Sequence, residues 1–260
     1  MEIMKEAVTH PSLTGVVYER PDSRFPPLRV NRLQADEVTT AFSVAAQSLL
    51  QLAYQTAYEG PAPRLAPRSI KRFLFDPRDD TKVAAYKERV VNHIASGSEY
   101  WLLWSTPEPT GLALAHGAEL EAVAKVTPSR ETIIQKANLR PPNAFINDVA
   151  VQPHRQHRRL ASVVLHAALS FSDYQYQDNA TFLLDAFDDN MMTKQWITRL
   201  ELASQGPISP RLVGSDERLA QTRYKSTVAT VGTLRAKLLL ALQQRGIASP
   251  KRIIASSLTE

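Results

Sequence analysis

The densest chemistry in this sequence lies between Phe145 and Leu202. An apolar run, Ala144-Phe145-Ile146-Asn147-Asp148-Val149-Ala150-Val151, is followed by Gln152-Pro153 and then by His154-Arg155-Gln156-His157-Arg158-Arg159. A helical pattern opens at Leu160-Ala161, with Val163, Val164, Ala167, Ala168 and Phe171 on one face. A strand–loop–helix junction leaves backbone N–H groups of the first helical turn without partners and aims the positive end of the helix at the loop. Phosphate is the usual guest of such a place. Arg155, Arg158 and Arg159 add charge and bidentate donors.

Other chemistries have less support. The chain has no cysteine, which excludes disulfides, thiolate-held metals and a thiol nucleophile. His154 and His157 lack a third ligand at matching spacing, so no metal is expected. Asp185, Asp188 and Asp189 gather at the end of an apolar run and read as strand termination, or as a feature attractive to a cationic amine. Of the 31 basic and 26 acidic residues, residues 225–260 hold six basic and one acidic, which is the whole net charge of +5. The remaining body is neutral, so nucleic acid is not the expected partner. No apolar run reaches membrane-spanning length, and the first residues lack a secretory pattern, so the expected location is cytoplasmic.

The elements that must position this segment can be read from periodicity. Residues 1–27, punctuated by Pro11, Pro21, Pro26 and Pro27, form an N-terminal extension with a short strand at Val16–Tyr18. Leu28–Leu33 alternates as a strand, and Val38, Phe42, Ala45, Leu49 and Leu52 mark a helix after Asp36. Residues 60–69 are a proline-rich loop, and a second helix follows Asp79-Asp80. Tyr100–Trp104 and Gly111–Ala115 are expected to pair as a hairpin. Residues 118–142 resist reading beyond a short helix near Glu131. After the central junction come a strand at Thr181–Ala186, a short helix marked by Met192, Trp196 and Leu200, and a weak strand at Thr222–Val228. A final helix runs over Val228–Arg245. Its apolar face must pack on its own domain or on a second copy, as a homodimer. The expected class is α/β, an α+β mixed sheet that is largely antiparallel, with a C-terminal helix.

The central segment resembles the GNAT superfamily of acyl-CoA-dependent N-acetyltransferases. That family shows a strand ending in Val-x-Pro, then Gln/Arg-x-x-Gly-x-Gly/Ala leading into a helix. Here Val151-Gln152-Pro153 precedes Gln156-His157-Arg158-Arg159-Leu160-Ala161. Gln156 and Ala161 fit the two ends, Arg159 replaces the middle glycine, and His157 stands where many members have another. Asn190 and Trp196–Leu202 match a second motif, with Arg199 at its Lys, Leu202 at its Phe and Ile197 at its Tyr. The likeness spans residues 28–228, which would make 229–260 a basic C-terminal helix and tail.

The resemblance implies a mostly antiparallel sheet with a splayed strand pair. It implies acetyl transfer from acetyl-CoA to a primary amine of a small molecule or protein. Backbone groups of Val149 and Val151 would hold the pantetheine arm, N–H groups from Gln156, His157, Arg158, Arg159, Leu160 and Ala161 the pyrophosphate, and Asn190 would lie near the arm. An amine of pKa ~10.4 must lose a proton before it attacks. Asp148 is the best-placed base by sequence, with Glu119 and Glu121 as alternatives. The N–H of Val149 would serve the oxyanion. With Ile197 at the Tyr position, protonation of the thiolate has no assigned residue, Tyr224 being distant. Arg159 would either pair with phosphate or fill its place. The other readings are a non-catalytic CoA-binding or regulatory module, and nucleic-acid binding through loop and tail.

Overall fold

The computed structural model describes residues 13–22, 24–58, 77–128, 144–156, 158–180, 182–187, 204–212, 220–226 and 230–254. Its strands are β1 (Leu13–Tyr18), β2 (Leu28–Arg32), β3 (Glu99–Trp104), β4 (Leu120–Pro128), β5 (Ala144–Val151), β6 (Phe182–Phe187), β7 (Ser204–Leu212), β8 (Ala220–Ser226) and β9 (Lys251–Ile254). The helices are α1 (Thr40–Tyr58), α2 (Asp80–Ala95), α3 (Thr110–Ala115), α4 (Leu160–Phe171) and α5 (Val231–Gln243). Among the described residues the strands form one sheet in the order β7-β8-β6-β5-β4-β3-β2-β1-β9. The mixed, mostly antiparallel α/β class expected from the sequence is therefore observed.

Local rules explain the elements near the site. All six residues of β3, Glu-Tyr-Trp-Leu-Leu-Trp, are buried, as befits an aromatic-rich strand covered on both faces. Thr39 caps α1 by accepting the Phe42 N–H at 3.1 Å, and Asp79 caps α2 by accepting the Lys82 N–H at 3.1 Å. α1 and α2 cover one face with Phe42, Leu49, Tyr86 and Val90. α4 and α5 cover the other with Val163, Leu165, Leu234, Leu238 and Leu242. The apolar face of α5 is thus covered within the chain. No helix among the described residues is long and apolar enough to cross a membrane.

Several expectations are corrected. Gly111–Ala115 is not a strand; it belongs to the short helix α3. Ala and Leu are strong helix formers, and alternating Leu and Ala over five residues does not separate the two periods. The hairpin partner of β3 is instead β4, paired over Glu99↔Val126 to Trp104↔Leu120. Its charged residues Glu121 and Lys125 hid it, because both are buried within the strand. β1 and β9, which lie outside residues 28–228, also join the sheet, side by side at one edge. Val16 and Tyr18 share one core with Leu234 and Leu238. The segments near Glu131, 60–69 and Met192–Leu200 lie outside the described residues.

One pairing differs from all the others. β5 and β6 are parallel, joined only over Ala144↔Phe182, Phe145↔Leu183 and Ile146↔Leu184. β5 continues against β4 as far as Ala122↔Val151, while β6 continues against β8. Beyond Ile146 the two central strands part.

Candidate active site

The parting opens beside the loop that the sequence singles out. Gln152 is buried and anchored, its N–H donating to Glu121 O at 2.9 Å and its Nε2 to Leu120 O at 3.2 Å. Residues Pro153–Arg155 make one 3-10 turn, with Gln156 after it. Arg158 and Arg159 are exposed, and α4 starts at Leu160 and Ala161. Arg159 occupies the N-cap with φ 65° and ψ 15°, in the left-handed region, and its side chain caps nothing. The glycine that the motif prefers here thus has a physical reason, and an arginine in that conformation costs roughly 1–2 kcal/mol. With no side-chain cap, the first N–H groups of α4 face the loop. Val149 and Val151 line the α4 side of the parting, half-buried against the core. His157, Asn190 and Ile197 lie outside the described residues, as does the side chain of Tyr224.

Asp148 owes its direction to a β-bulge. The pairing Lys125↔Asp148 is followed by Val126↔Ile146, so Asn147 is the extra residue. Ile146 packs on the α4 side and Ala150 on the α1–α2 side. Asp148, two residues from Ala150, therefore shares the α1–α2 face, where its charge acts on Tyr86 and Tyr100. Burial pushes both phenols well above their ordinary range; Asp148 adds to the push on Tyr86, and Tyr86 and Asp148 add to that on Tyr100.

A chain of polar groups adjoins this carboxylate. His93 Nδ1 lies 2.8 Å from Tyr100 Oη and 3.0 Å from Lys125 Nζ. Lys125 is 7% exposed and stands 5.5 Å from the Tyr100 ring centre. An ammonium only donates, so Nδ1 accepts and the His93 proton sits on Nε2 when the ring is neutral. His93, Tyr100 and Lys125 were absent from the sequence reading of the site. Their spacing carries no motif, and only the bulge brings them together with Asp148.

The alternative carboxylates sit elsewhere. Glu119 lies 3.3 Å from His154, both being well exposed. Glu121 is buried and its carboxylate is 2.9 Å from Arg155 Nε. Burial pushes the Glu121 carboxyl up, against the pull of Arg155 and Arg20. Arg158 borders the cleft beside this pair. Among the described residues no group of three or more His, Asp or Glu is placed to hold a metal ion.

Three of the basic C-terminal residues have partners within the fold. Arg235 donates to Leu169 O and Tyr176 O at 3.3 and 3.1 Å and pairs with Asp178. Arg252 stacks over Phe171 at 5.3 Å, and Lys251 lies 4.0 Å from Glu19.

No protein-family model matches the chain, and no curated protein matches it. Solved structures do. An uncharacterized protein from Bacillus halodurans superposes with a TM-score of 0.53 at 10% identity, over 90% of this chain and 100% of that one. The PaiA N-acetyltransferase from Thermoplasma acidophilum, in complex with coenzyme A, gives 0.45 at 10% identity, over 76% and 98%. RimL, a ribosomal L7/L12 alpha-N-protein acetyltransferase in complex with coenzyme A, gives 0.47 at 10% identity, over 79% and 95%. Among the described residues, the mixed sheet, one parallel pair that parts midway and a strand–loop–helix junction at the parting are the arrangement that the sequence resemblance to the GNAT superfamily implies.

Proposed function

We propose that this chain is an N-acetyltransferase that takes the acetyl group of acetyl-CoA to a primary amine. The observation that carries the reading is the parting of β5 from β6 beside an uncapped helix start, reached through a loop whose last residue holds a left-handed conformation. That geometry suits a thin arm between strands and a pyrophosphate at the first N–H groups of α4, at Leu160 and Ala161, with Val149 and Val151 along the arm. Acetyl-CoA supplies the activated thioester. Asp148 takes a proton from the ammonium form of the acceptor, so that the free amine attacks the carbonyl carbon. The Val149 N–H steadies the oxyanion. The C–N bond forms, the C–S bond breaks, and the thiolate leaves to be protonated. Lys125 stands opposite Asp148 across the β4–β5 pairing.

Calorimetric titration of the full chain with acetyl-CoA tests this. Saturable heat is expected, and joint replacement of Arg158 and Arg159 by Ala should weaken it. Absence of heat at millimolar ligand overturns the donor assignment. The second reading, a CoA-binding module without turnover, is favoured by the placement of Asp148 opposite a buried Lys125, an arrangement that also serves structure alone. Binding with no thiol release across a broad amine panel is its signature. Against nucleic acid stand the intramolecular contacts of Arg235, Lys251 and Arg252.

A further inference from the structure

Two stretches from opposite ends of the chain meet beside the N-terminus of α4. The Ala248 N–H donates to Glu19 O at 3.0 Å. Gly246 has φ +72°, and a Cβ there would lie 2.8 Å from Pro21 Cγ. Glycine is thus required twice, for the backbone conformation and for the close approach. Between these stretches, the end of β3 and the start of β4 lies a cleft of about 420 Å³, within the usual range for a small-ligand site.

The cleft is strongly charged with one sign. Arg20, Arg155, Arg158 and Arg245 line it, against Glu121 alone. Arg155 already engages Glu121 at 2.9 Å. Arg20 Nε is buried and has no hydrogen-bond partner among the described residues. Burial and the nearby charges of Arg158 and Arg155 pull the Arg20 guanidinium below its ordinary value, with Glu121 opposing them. Buried donors are satisfied in nearly all native structures, and like charges held together in a low-dielectric cleft focus a field that attracts an anion. The remaining wall is apolar, with Phe25, Leu28, Leu160 and Ile247.

We propose that this cleft is a second ligand site, adjoining the acyl donor's loop at Arg158 and Leu160, which binds a phosphate monoester with an apolar body. Guanidinium forks match phosphate oxygens bidentately, and a dianion offsets most of the surplus charge. The apolar wall takes the ester group. The cleft adjoins the donor's loop, because Arg158 and Leu160 border both, but it opens away from the parting of β5 and β6, toward Ser105 after β3, Glu121 on β4 and the two chain ends. The site also gives the two chain ends a purpose beyond closing the sheet, because Arg20, Phe25, Arg245 and Ile247 all come from them.

The test is titration of the full chain with phenyl phosphate and with inorganic phosphate at low ionic strength, read by calorimetry. Phenyl phosphate should bind in the millimolar range or tighter, at least about fivefold more tightly than inorganic phosphate. Arg20→Gln and Arg245→Gln should each weaken it about tenfold, the size of one lost charge-assisted contact, with acetyl-CoA affinity unchanged. Arg245 is exposed, so its variant keeps the test open if Arg20→Gln fails to fold. Phe25→Ala, also at an exposed residue, should erase the preference for the phenyl ester while leaving inorganic phosphate binding intact. No binding by the wild-type chain at about 10 mM phenyl phosphate overturns the proposal, as does undiminished binding by both arginine variants. Equal affinity for the two phosphates removes the apolar body. Displacement of phenyl phosphate by acetyl-CoA, with donor affinity falling in both arginine variants, merges the cleft with the donor's site and overturns its separateness. Failure of acetyl-CoA to bind at all sinks the transferase reading and leaves the phenyl phosphate result standing.

Discussion

The two faces of the sheet are built on different terms. The α4–α5 face is a continuous apolar layer in which the buried ring of His166 is settled locally, by Tyr18 Oη at 2.9 Å from Nδ1 and Ser170 Oγ at 3.4 Å from Nε2. The α1–α2 face is apolar over β3 but turns polar at β5, where Lys125, His93 and Tyr100 stand beside Asp148. Both faces bury ionisable groups, and among the described side chains the carboxylate next to the parting of the central strands, Asp148, lies on the second. The bulge at Asn147 makes the difference. Without it Asp148 would share the face of Ile146 and point into the core under α4.

The largest effect should follow from removing that carboxylate. Asp148→Asn is expected to lower turnover about 10²–10⁴-fold, the range for a positioned general base. The unfolding midpoint and acetyl-CoA affinity should stay within error. Turnover equal to the wild type removes Asp148 from the chemistry and breaks the division of labour between the faces.

The opposite face should respond in stability alone. Leu238 is 0% exposed on α5, against the core of α4. Leu238→Ala should cost about 2–5 kcal/mol of unfolding free energy, by lost transfer and a residual cavity. Turnover per folded molecule should not change. A parallel loss of turnover in the fully folded variant shows that the apolar layer also sets the geometry of the parting.

What the sequence made legible follows this same contrast. Uniform layers read well. The helix after Leu160, the strands at Tyr100–Trp104 and Ala144–Val151, and the burial of Trp101 and Trp104 all emerge from period and residue type. Mixed layers do not. β4 carries Glu121 and Lys125 at buried positions, so it reads as neither a polar nor an apolar strand, and α3 took its place in the expected hairpin. Loop chemistry was half legible: the left-handed position of Arg159 follows from a motif, whereas the turning of Arg155 onto Glu121 depends on β4, which was not seen. Arg20 and Arg245 are 225 positions apart in the chain, and nothing in local pattern joins them.

The buried imidazole gives the α4–α5 face a pH signature. Burial, helped by the charge of Arg235, pulls His166 down to about 4. The folded value lies below the unfolded value of ~6.5. Stability from keeping this ring neutral is therefore fully present above pH ~6.5 and is lost as pH falls from there toward 4, to a limit of ~3 kcal/mol. His166→Gln keeps a partner for Tyr18 and should flatten the acid side of the stability profile between these values, as read by urea unfolding. An unchanged slope assigns the acid sensitivity elsewhere.

The smallest effect separates the two roles open to Arg159. Arg159→Gly relieves a left-handed arginine, roughly 1–2 kcal/mol, but returns freedom to the unfolded chain worth about 0.4–1 kcal/mol. The net gain should lie between about zero and ~1.6 kcal/mol. Gln175, with φ 44°, is the other described non-glycine residue in that region, and Gln175→Gly should gain similarly without touching donor binding. Acetyl-CoA affinity then distinguishes the roles at the loop. A fall in affinity for Arg159→Gly, set against no change for Gln175→Gly, means that the guanidinium pairs with donor phosphate and that the strain is held for binding. A rise means that the side chain obstructs the place where phosphate rests, and that the backbone N–H groups of α4 suffice without it.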